Sequence, residues 1–224
     1  MIFDTLLRES LDFEMMENKN ELTAPIVDYD RIRIQCDGDG VRTIVFFYGC
    51  PLRCKYCINP QTWTNEEVVN KYTPQELLEE VEIDSLYFQA TNGGITFGGG
   101  EPLLHAEFIE KFIEIAPKEW NYWVETSLSV PFDNIKKIAP YIAKFVVDIK
   151  SLDADVYQNY TGKPVQLAEE NLKRLLELVG AKKIWVRVPL IPNYNTRKQQ
   201  KETVKKLKAM GIKSIQTFDY VTRR

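Results

Sequence analysis

Short apolar segments alternate with amphipathic ones along most of this sequence of 224 residues, and that alternation restricts the possible folds more than any other feature. The segments between the apolar ones repeat their apolar residues at helical spacing. Strands separated by amphipathic helices predict a parallel sheet covered by helices. We therefore expect an α/β fold, a partial (β/α)6 barrel of parallel strands with helices outside. The predicted strands are rich in β-branched and aromatic residues and cover residues 42–48, 93–100, 122–126, 145–150, 183–189 and 212–218.

The sequence upstream of these strands is less regular. Residues 1–26 mix helical and polar character, and we treat them as an N-terminal extension of unassigned role, with the barrel domain covering residues 27–224. Residues 31–34 alternate as a half-buried strand does, and the glycine- and aspartate-rich segment 37–40 predicts a turn. Residues 73–76 combine an N-cap threonine, a first-turn proline and a capping-box glutamate, which predicts that a helix begins there.

Three of the four cysteines lie within eight residues, directly after the strand predicted at 42–48. Cys50, Cys54 and Cys57 have the spacing C-x3-C-x2-C, and such a compact set suggests an iron–sulfur cluster. A four-iron cluster normally takes four cysteines, so three would leave one iron open for chemistry. Cys36 ends a predicted strand and has no partner at ligand spacing, so we expect it in the core.

Two other roles for the clustered cysteines stay open at this point. The first is a zinc site, but zinc sites usually have four ligands, commonly two separated pairs. The sole histidine, His105, lies far along the sequence in a helical pattern. The second role is that of inert thiols packed in the core.

Polar and glycine residues follow several of the other predicted strands. Gly98–Glu101 end the second strand, Glu125 and Thr126 end the third, and Asp148 and Lys150 end the fourth. In barrels of parallel strands, the active site is built from the loops at the carboxyl ends of the strands. We therefore expect these groups and the cysteines to lie on one rim of the barrel.

The composition argues against several classes of partner. The net charge is -3, so no basic field indicates nucleic acid or an anionic membrane. The sequence has no run of about eighteen apolar residues, which a membrane-spanning helix would need, and its start lacks the pattern of a secretory signal. We expect a cytoplasmic protein, because clustered free thiols also fit a reducing compartment.

Two segments resemble a known family. Residues 40–60, with an aromatic residue before the third cysteine, and residues 96–104, with Thr96-Phe97-Gly98-Gly99-Gly100-Glu101-Pro102, are similar to the radical S-adenosylmethionine enzymes. Within that superfamily, the sequence is most similar to the glycyl radical enzyme activating enzymes, from about residue 30 to about residue 220. The resemblance implies a [4Fe-4S] cluster on Cys50, Cys54 and Cys57, with S-adenosylmethionine on the fourth iron.

The resemblance also implies how the cofactor is bound. It places Tyr56 against the adenine, and it matches Gly99, Gly100 and Glu101 to the motif that receives the methionine amino group. Glycines let backbone approach a ligand closely, and a carboxylate suits an ammonium. Asp148 belongs to an aspartate-x-lysine motif near the cofactor.

Further residues follow from the same comparison. Lys150, from the aspartate-x-lysine motif, and Arg187, on the fifth strand, are placed near the cofactor or the substrate, and Asp37 matches an aspartate near the substrate. We assign these three residues to catalysis. Glu125 and Thr126 stand where the family often has Asp-Thr. In some members that pair, with the aspartate matching Asp148, holds a monovalent cation.

The sequence departs from the family at three places. Ile58 stands where histidine usually follows the third cysteine, Asp39 replaces the proline of an Asp-Gly-Pro-Gly turn, and residues 219–221 lack the histidine of a common Pro-Tyr-His element. These departures concern contacts to ribose and substrate. Some relatives carry an eight-cysteine ferredoxin segment, whereas only Cys36 remains here, so we expect a single cluster.

The implied activity is reductive cleavage of S-adenosylmethionine to a 5'-deoxyadenosyl radical. In the activating enzymes that radical takes hydrogen from a backbone glycine of a partner glycyl radical enzyme, and the electron comes from flavodoxin or ferredoxin. One alternative keeps the cofactor but acts on a small molecule or a peptide. The other is a non-catalytic iron–sulfur module, against which Glu101 and its glycine-rich turn argue.

Overall fold

The computed structural model describes residues 21–64 and 69–220. Most of the predicted extension, residues 1–20, lies outside the described residues. The strands are β1 (Ala24–Ile34), β2 (Val41–Phe47), β3 (Asn70–Tyr72), β4 (Gly94–Gly99), β5 (Asn121–Thr126), β6 (Lys144–Asp148), β7 (Ile184–Leu190) and β8 (Ser214–Asp219). They form one sheet in the order β3-β1-β2-β4-β5-β6-β7-β8, with β3 at one edge and β8 at the other.

The helices lie between these strands, and short 3-10 turns at Glu82–Asp84, Pro102–His105 and Ala181–Lys183 accompany them. The capping box predicted at Thr73 is present, because its side chain accepts a hydrogen bond from the Glu76 backbone while the Glu76 carboxylate accepts one from the Thr73 backbone. The helices are α1 (Gln61–Thr64), α2 (Pro74–Val81), α3 (Ser85–Thr91), α4 (Ala106–Ile115), α5 (Phe132–Ile138), α6 (Ala154–Thr161), α7 (Gln166–Val179) and α8 (Arg197–Ala209).

The six predicted strands correspond to β2 and β4–β8, which pair in parallel with one another in sequence order. The α/β partial barrel is therefore confirmed. The sheet is not closed, and it gains two antiparallel strands, because β1 pairs with β2 and β3 pairs with β1. Parallel order brings the carboxyl ends of β2 and β4–β8 to the same edge of the sheet.

The core lies between the sheet and the helices around it. Phe97 of β4 meets Phe112 of α4 edge-on at 5.9 Å between ring centroids, and Phe97 stacks on Tyr122 of β5 at 6.1 Å. Ala24 and Ile26 are also fully buried in this core, although they belong to the segment treated as an extension. In the part of the chain that the structure describes, none of the helices could cross a membrane.

Two expectations near the end of β1 are wrong. The apolar side chains of residues 31–34 do not face the core, since Ile32 and Ile34 are 40% and 63% exposed. The pairing register with β2 shifts between Asp30 and Arg33, and Ile32 has a positive φ of 55°, so a bulge breaks the alternation. Cys36 lies beyond this bulge and is exposed rather than in the core.

Candidate active site

A cavity of about 870 Å³ opens at the carboxyl ends of the parallel strands. The three clustered cysteines line one part of its wall, and all three are partly buried. Groups from the ends of the later strands line the rest. Of the residues predicted for this rim, those that line the cavity are Cys50, Cys54, Cys57, Gly99, Gly100, Glu125, Thr126, Asp148 and Lys150. Arg187 and Asp37, which the resemblance placed near the cofactor or the substrate, line it as well.

The segment that carries the cysteines, residues 48–60, is here called the cysteine loop. Its backbone is held by distant parts of the chain. The Arg53 amide donates to the Thr161 carbonyl at 2.8 Å, and the Lys55 amide donates to the Tyr160 carbonyl at 3.1 Å. The Tyr220 hydroxyl donates to the Tyr56 carbonyl. The spacing of the cysteines is thus fixed by the last residues of α6 and by the residue that follows β8.

The glycine-rich turn after β4 packs directly on the cysteine loop. A Cβ on Gly100 would lie 2.2 Å from the carbonyl oxygen of Gly49, which leaves room only for glycine. The Glu101 amide donates to the same Gly49 carbonyl at 2.8 Å. The two sequence motifs therefore form one connected unit.

Glu101 is fully buried and does not line the cavity. One carboxylate oxygen accepts a hydrogen bond from the Thr126 hydroxyl at 2.7 Å. The other accepts from the hydroxyl and the amide of Ser127, at 2.6 and 2.9 Å. Burial raises the pKa of Glu101, and the hydrogen bonds from Ser127 and Thr126 oppose that rise. This carboxylate fixes the turn after β5.

Four charged side chains, on β5, β6 and β7 and just beyond β6, form one ion-pair network. The Arg187 guanidinium donates to both oxygens of Glu125, at 2.9 and 3.2 Å, and to Asp148 at 2.7 Å. Lys150 donates to the second oxygen of Asp148 at 3.1 Å. The four side chains, here called the charge network, are between 13% and 24% exposed.

Ionisation in the charge network follows from this pairing. Burial would raise the pKa of Asp148, but Lys150 and Arg187 hold it well below its usual range. Burial would lower the pKa of Lys150 and of Arg187, yet Asp148 raises both. Burial raises the pKa of Glu125 against the opposing effect of Arg187.

Tyr56 is placed differently from the cavity-lining residues. Its ring packs against Tyr160, Tyr194 and Tyr220 at centroid distances of 6.2, 5.5 and 6.5 Å. Its hydroxyl accepts from the Asn193 side chain at 3.3 Å. The tyrosine therefore supports the cysteine loop from behind, and only Tyr220 of this group lines the cavity.

Several cavity residues were not identified from the sequence. Trp185 lies two residues before Arg187 on β7, so strand alternation places both on one face and could have revealed it. Gln216 and Phe218 share a face of β8 by the same rule. Ser127 carries no comparable signal, because it lies beyond the end of its strand.

The donor set fits an iron–sulfur cluster better than a single zinc ion. Within residues 21–64 and 69–220, no three histidine, cysteine or acidic side chains converge on one ion position. A four-iron cluster takes one thiolate per iron, so its cysteines face a common cavity without converging on one point. His105 is used elsewhere, since its Nε2 lies 2.9 Å from the Tyr48 carbonyl and its ring stacks on Phe47.

The pKa values of the thiols affect how iron would bind at this site. Burial raises the pKa of Cys50 to about 12 and that of Cys54 to about 11. The thiolate is the metal-binding form. Loading iron therefore releases protons from these side chains.

Comparisons with known proteins agree with this geometry. The Radical SAM superfamily profile matches residues 44–198. The pyruvate formate-lyase-activating enzyme of Clostridium pasteurianum is 36% identical over 185 residues, which span 83% of this chain and 75% of that protein. The protein of the same name from Staphylococcus aureus (strain COL) is 34% identical over 169 residues, spanning 72% of this chain and 66% of that protein.

Solved structures resemble the fold at lower identity. Streptococcus suis SuiB bound to S-adenosylmethionine has a TM-score of 0.57 and 18% identity, with 78% of this chain and 39% of SuiB covered. The structure of anSMEcpe with bound AdoMet has a TM-score of 0.55 and 20% identity, with coverages of 77% and 49%. At such identities the likeness shows the fold alone, and this chain spans less than half of either protein.

Proposed function

Because this chain belongs to the radical S-adenosylmethionine superfamily and is a radical enzyme of the activating-enzyme type, we propose that it generates a glycyl radical on a partner enzyme. The [4Fe-4S] cluster and S-adenosylmethionine supply, when bound, reductive cleavage of the cofactor and a 5'-deoxyadenosyl radical that abstracts hydrogen. Similarity to the pyruvate formate-lyase-activating enzymes supports a glycyl radical enzyme as the partner, which the cofactor chemistry alone does not specify.

The observation that supports this function best is the composition of the cavity wall. Cys50, Cys54 and Cys57 face the same space as the charge network. Three thiolates suit a cluster, while the ammonium of Lys150 and the guanidinium of Arg187 suit the carboxylate of an amino-acid cofactor. One cavity thus offers both halves of the required site.

We assign the remaining roles as follows. The backbone of Gly99 and Gly100 lines the cavity and receives the methionine amino group, whereas Glu101 acts from behind by fixing Thr126 and Ser127. Apolar side chains exclude water from the reacting atoms. The apolar members of the wall include Ile44, Phe46, Leu52, Trp185 and Phe218.

Asp37 lies on the part of the wall contributed by the β1–β2 turn. It is ion-paired with Arg33, which lines the same cavity. We assign this side of the cavity to the glycine-bearing segment of the partner, and Asp37 to positioning that segment. The electron donor in this proposal is a flavodoxin or a ferredoxin.

An anaerobic assay tests the proposal. The cluster is reconstituted, reduced with dithionite and mixed with S-adenosylmethionine and a glycyl radical enzyme carrying α-deuterated glycine. We expect deuterium in the 5'-deoxyadenosine product and a glycyl radical signal by electron paramagnetic resonance.

Two cysteine variants control this assay. Cys54→Ala removes a proposed ligand and is expected to abolish product, whereas Cys36→Ala removes the exposed cysteine of the same cavity and is expected to retain it. Product without deuterium would favour a small molecule or a peptide as substrate. Absence of 5'-deoxyadenosine from protein with an intact cluster would contradict the enzymatic assignment itself.

A further inference from the structure

The residues that the resemblance assigns to a monovalent cation do not fit one here. Both oxygens of Glu125 accept hydrogen bonds from Arg187, at 2.9 and 3.2 Å. Asp148 accepts from Arg187 on one oxygen, at 2.7 Å, and from Lys150 on the other, at 3.1 Å. All four carboxylate oxygens therefore already have a cationic donor.

The hydroxyl of Thr126 is engaged in the same way. It donates to Glu101 at 2.7 Å and accepts from the Leu128 amide at 2.9 Å. A metal ion at this hydroxyl would have to share an oxygen that already accepts one hydrogen bond. A metal ion would therefore coordinate these oxygens only beside a cationic donor or in competition with an existing hydrogen bond.

The charges are balanced as well. Glu125 and Asp148 contribute two negative charges, and Lys150 and Arg187 contribute two positive charges. A guanidinium is planar, delocalised and always charged, so a single group can bridge two carboxylates with directed hydrogen bonds. An added metal cation would bring an unbalanced charge into a partly buried site, which is unfavourable.

We propose that Arg187 is the built-in cation of this site, so that S-adenosylmethionine binds without a monovalent metal ion. The guanidinium joins Glu125 of β5 and Asp148 of β6 to β7 and balances their negative charge from within the chain. Arg187 is then a positioning residue for the cofactor pocket. The inference rests on cofactor binding, which the family establishes, and does not depend on the glycyl substrate.

The first test measures binding and not turnover. Isothermal titration gives the dissociation constant of S-adenosylmethionine for the cluster-loaded protein, in potassium chloride and in choline chloride of equal ionic strength. We expect the two constants to agree within about twofold. A dissociation constant more than about tenfold smaller in potassium chloride than in choline chloride would overturn the proposal.

A variant then tests whether the charge comes from Arg187. Arg187→Met keeps much of the side-chain length but removes the guanidinium. We expect weaker cofactor binding in choline and a partial recovery in potassium, because the freed carboxylates can then hold a metal cation. A folded Arg187→Met protein that binds like the wild type in choline would also overturn the proposal.

Two further variants keep the test decisive. Glu125→Asp retains every charge but has a shorter side chain, which breaks the bidentate contact with Arg187. We expect cofactor binding by this variant to become potassium-dependent, and the result does not require that Arg187→Met folds. Arg31→Met is the matched control, since Arg31 forms a similar paired contact with Asp84 away from the cavity. Its cofactor binding should stay insensitive to potassium.

Discussion

At the scale of single residues, the position of a side chain relative to the strands was easier to predict than its hydrogen-bond partners. Asp148 and Lys150 end a strand, and strand ends can be read from the sequence. That Arg187 reaches Glu125 and Asp148 at once depends on the relative placement of three strands and on one side-chain rotamer. The pairing of Glu101 with Ser127 was unpredictable for the same reason, since it joins two turns.

The charge network predicts a stability change with a defined pH dependence. Asp148→Asn leaves Lys150 and Arg187 facing a neutral amide, so we expect a loss of roughly 3 kcal/mol in the free energy of unfolding at neutral pH. The pKa of Asp148 is depressed in the folded protein, so its contribution is complete above its unfolded pKa and is lost as the pH falls.

Chemical denaturation at several pH values measures this effect. The difference in unfolding free energy between wild type and Asp148→Asn should be largest near neutral pH. It should shrink below about pH 4, where the aspartate binds a proton in the unfolded chain but stays ionised in the folded protein. Asp155→Asn, on the exposed face of α6, is the control and should cost less than about 1 kcal/mol at any of these pH values. A difference that grows in acid would contradict the ion-pair explanation.

At the scale of elements, the amino ends of the parallel strands serve stability rather than binding. Arg42, at the start of β2, is fully buried and donates to the carbonyls of Ile95 and Asn121, at 2.7 and 2.8 Å, and to the Thr96 hydroxyl at 2.7 Å. It therefore ties β2, β4 and β5 together near their amino ends, and it does not line the cavity. Such a role is expected for that face of a barrel.

The variant Arg42→Lys tests whether this contact at the amino ends of the strands serves stability and not cofactor binding. Lysine keeps the charge but loses the guanidinium fork, so at least one buried acceptor is left unsatisfied, and we expect a loss of about 2–4 kcal/mol in unfolding free energy. Binding of S-adenosylmethionine by the folded fraction should not change. Arg197→Lys, in an exposed pair with Asp219, is the control and should cost less than about 1 kcal/mol. Equal costs for both variants would refute the assignment.

The elements that the sequence predicted well share one property, which is a strong local signal. The helix at 74–81 has its capping box, and β2, β5, β6 and β7 are rich in β-branched and aromatic residues. β3 has only three residues and is recognisable only as a partner of β1. The bulge that turns Ile32 and Ile34 outward depends on pairing with β2, which no local pattern reveals.

At the scale of the whole molecule, the cavity depends on loops that are far apart in sequence. Loading the cluster should therefore stabilise the entire fold, because a group bound only by the native state shifts the unfolding equilibrium. We expect the thermal midpoint of the loaded protein to exceed that of the chelator-treated protein by several degrees, on the order of 5 °C. Anaerobic circular dichroism measures both midpoints.

A variant of one proposed cluster ligand separates this effect from non-specific binding of iron. Cys54→Ser should show the same midpoint before and after reconstitution, because one thiolate is missing. Cys36→Ser should behave like the wild type, since Cys36 is exposed and outside the cysteine loop. Identical midpoints for loaded and chelated wild type would show that the cluster does not bridge the loops.

The hydrogen bonds that hold the cysteine loop also determine when, during synthesis, the loop can adopt its folded conformation. The amides of Arg53 and Lys55 bond to Thr161 and Tyr160, and the Tyr56 carbonyl accepts a hydrogen bond from Tyr220. The ribosome makes these partners more than a hundred residues after the cysteines. A nascent chain thus exposes its thiols long before it can hold them in place, so maturation with iron and sulfide belongs after translation of β8.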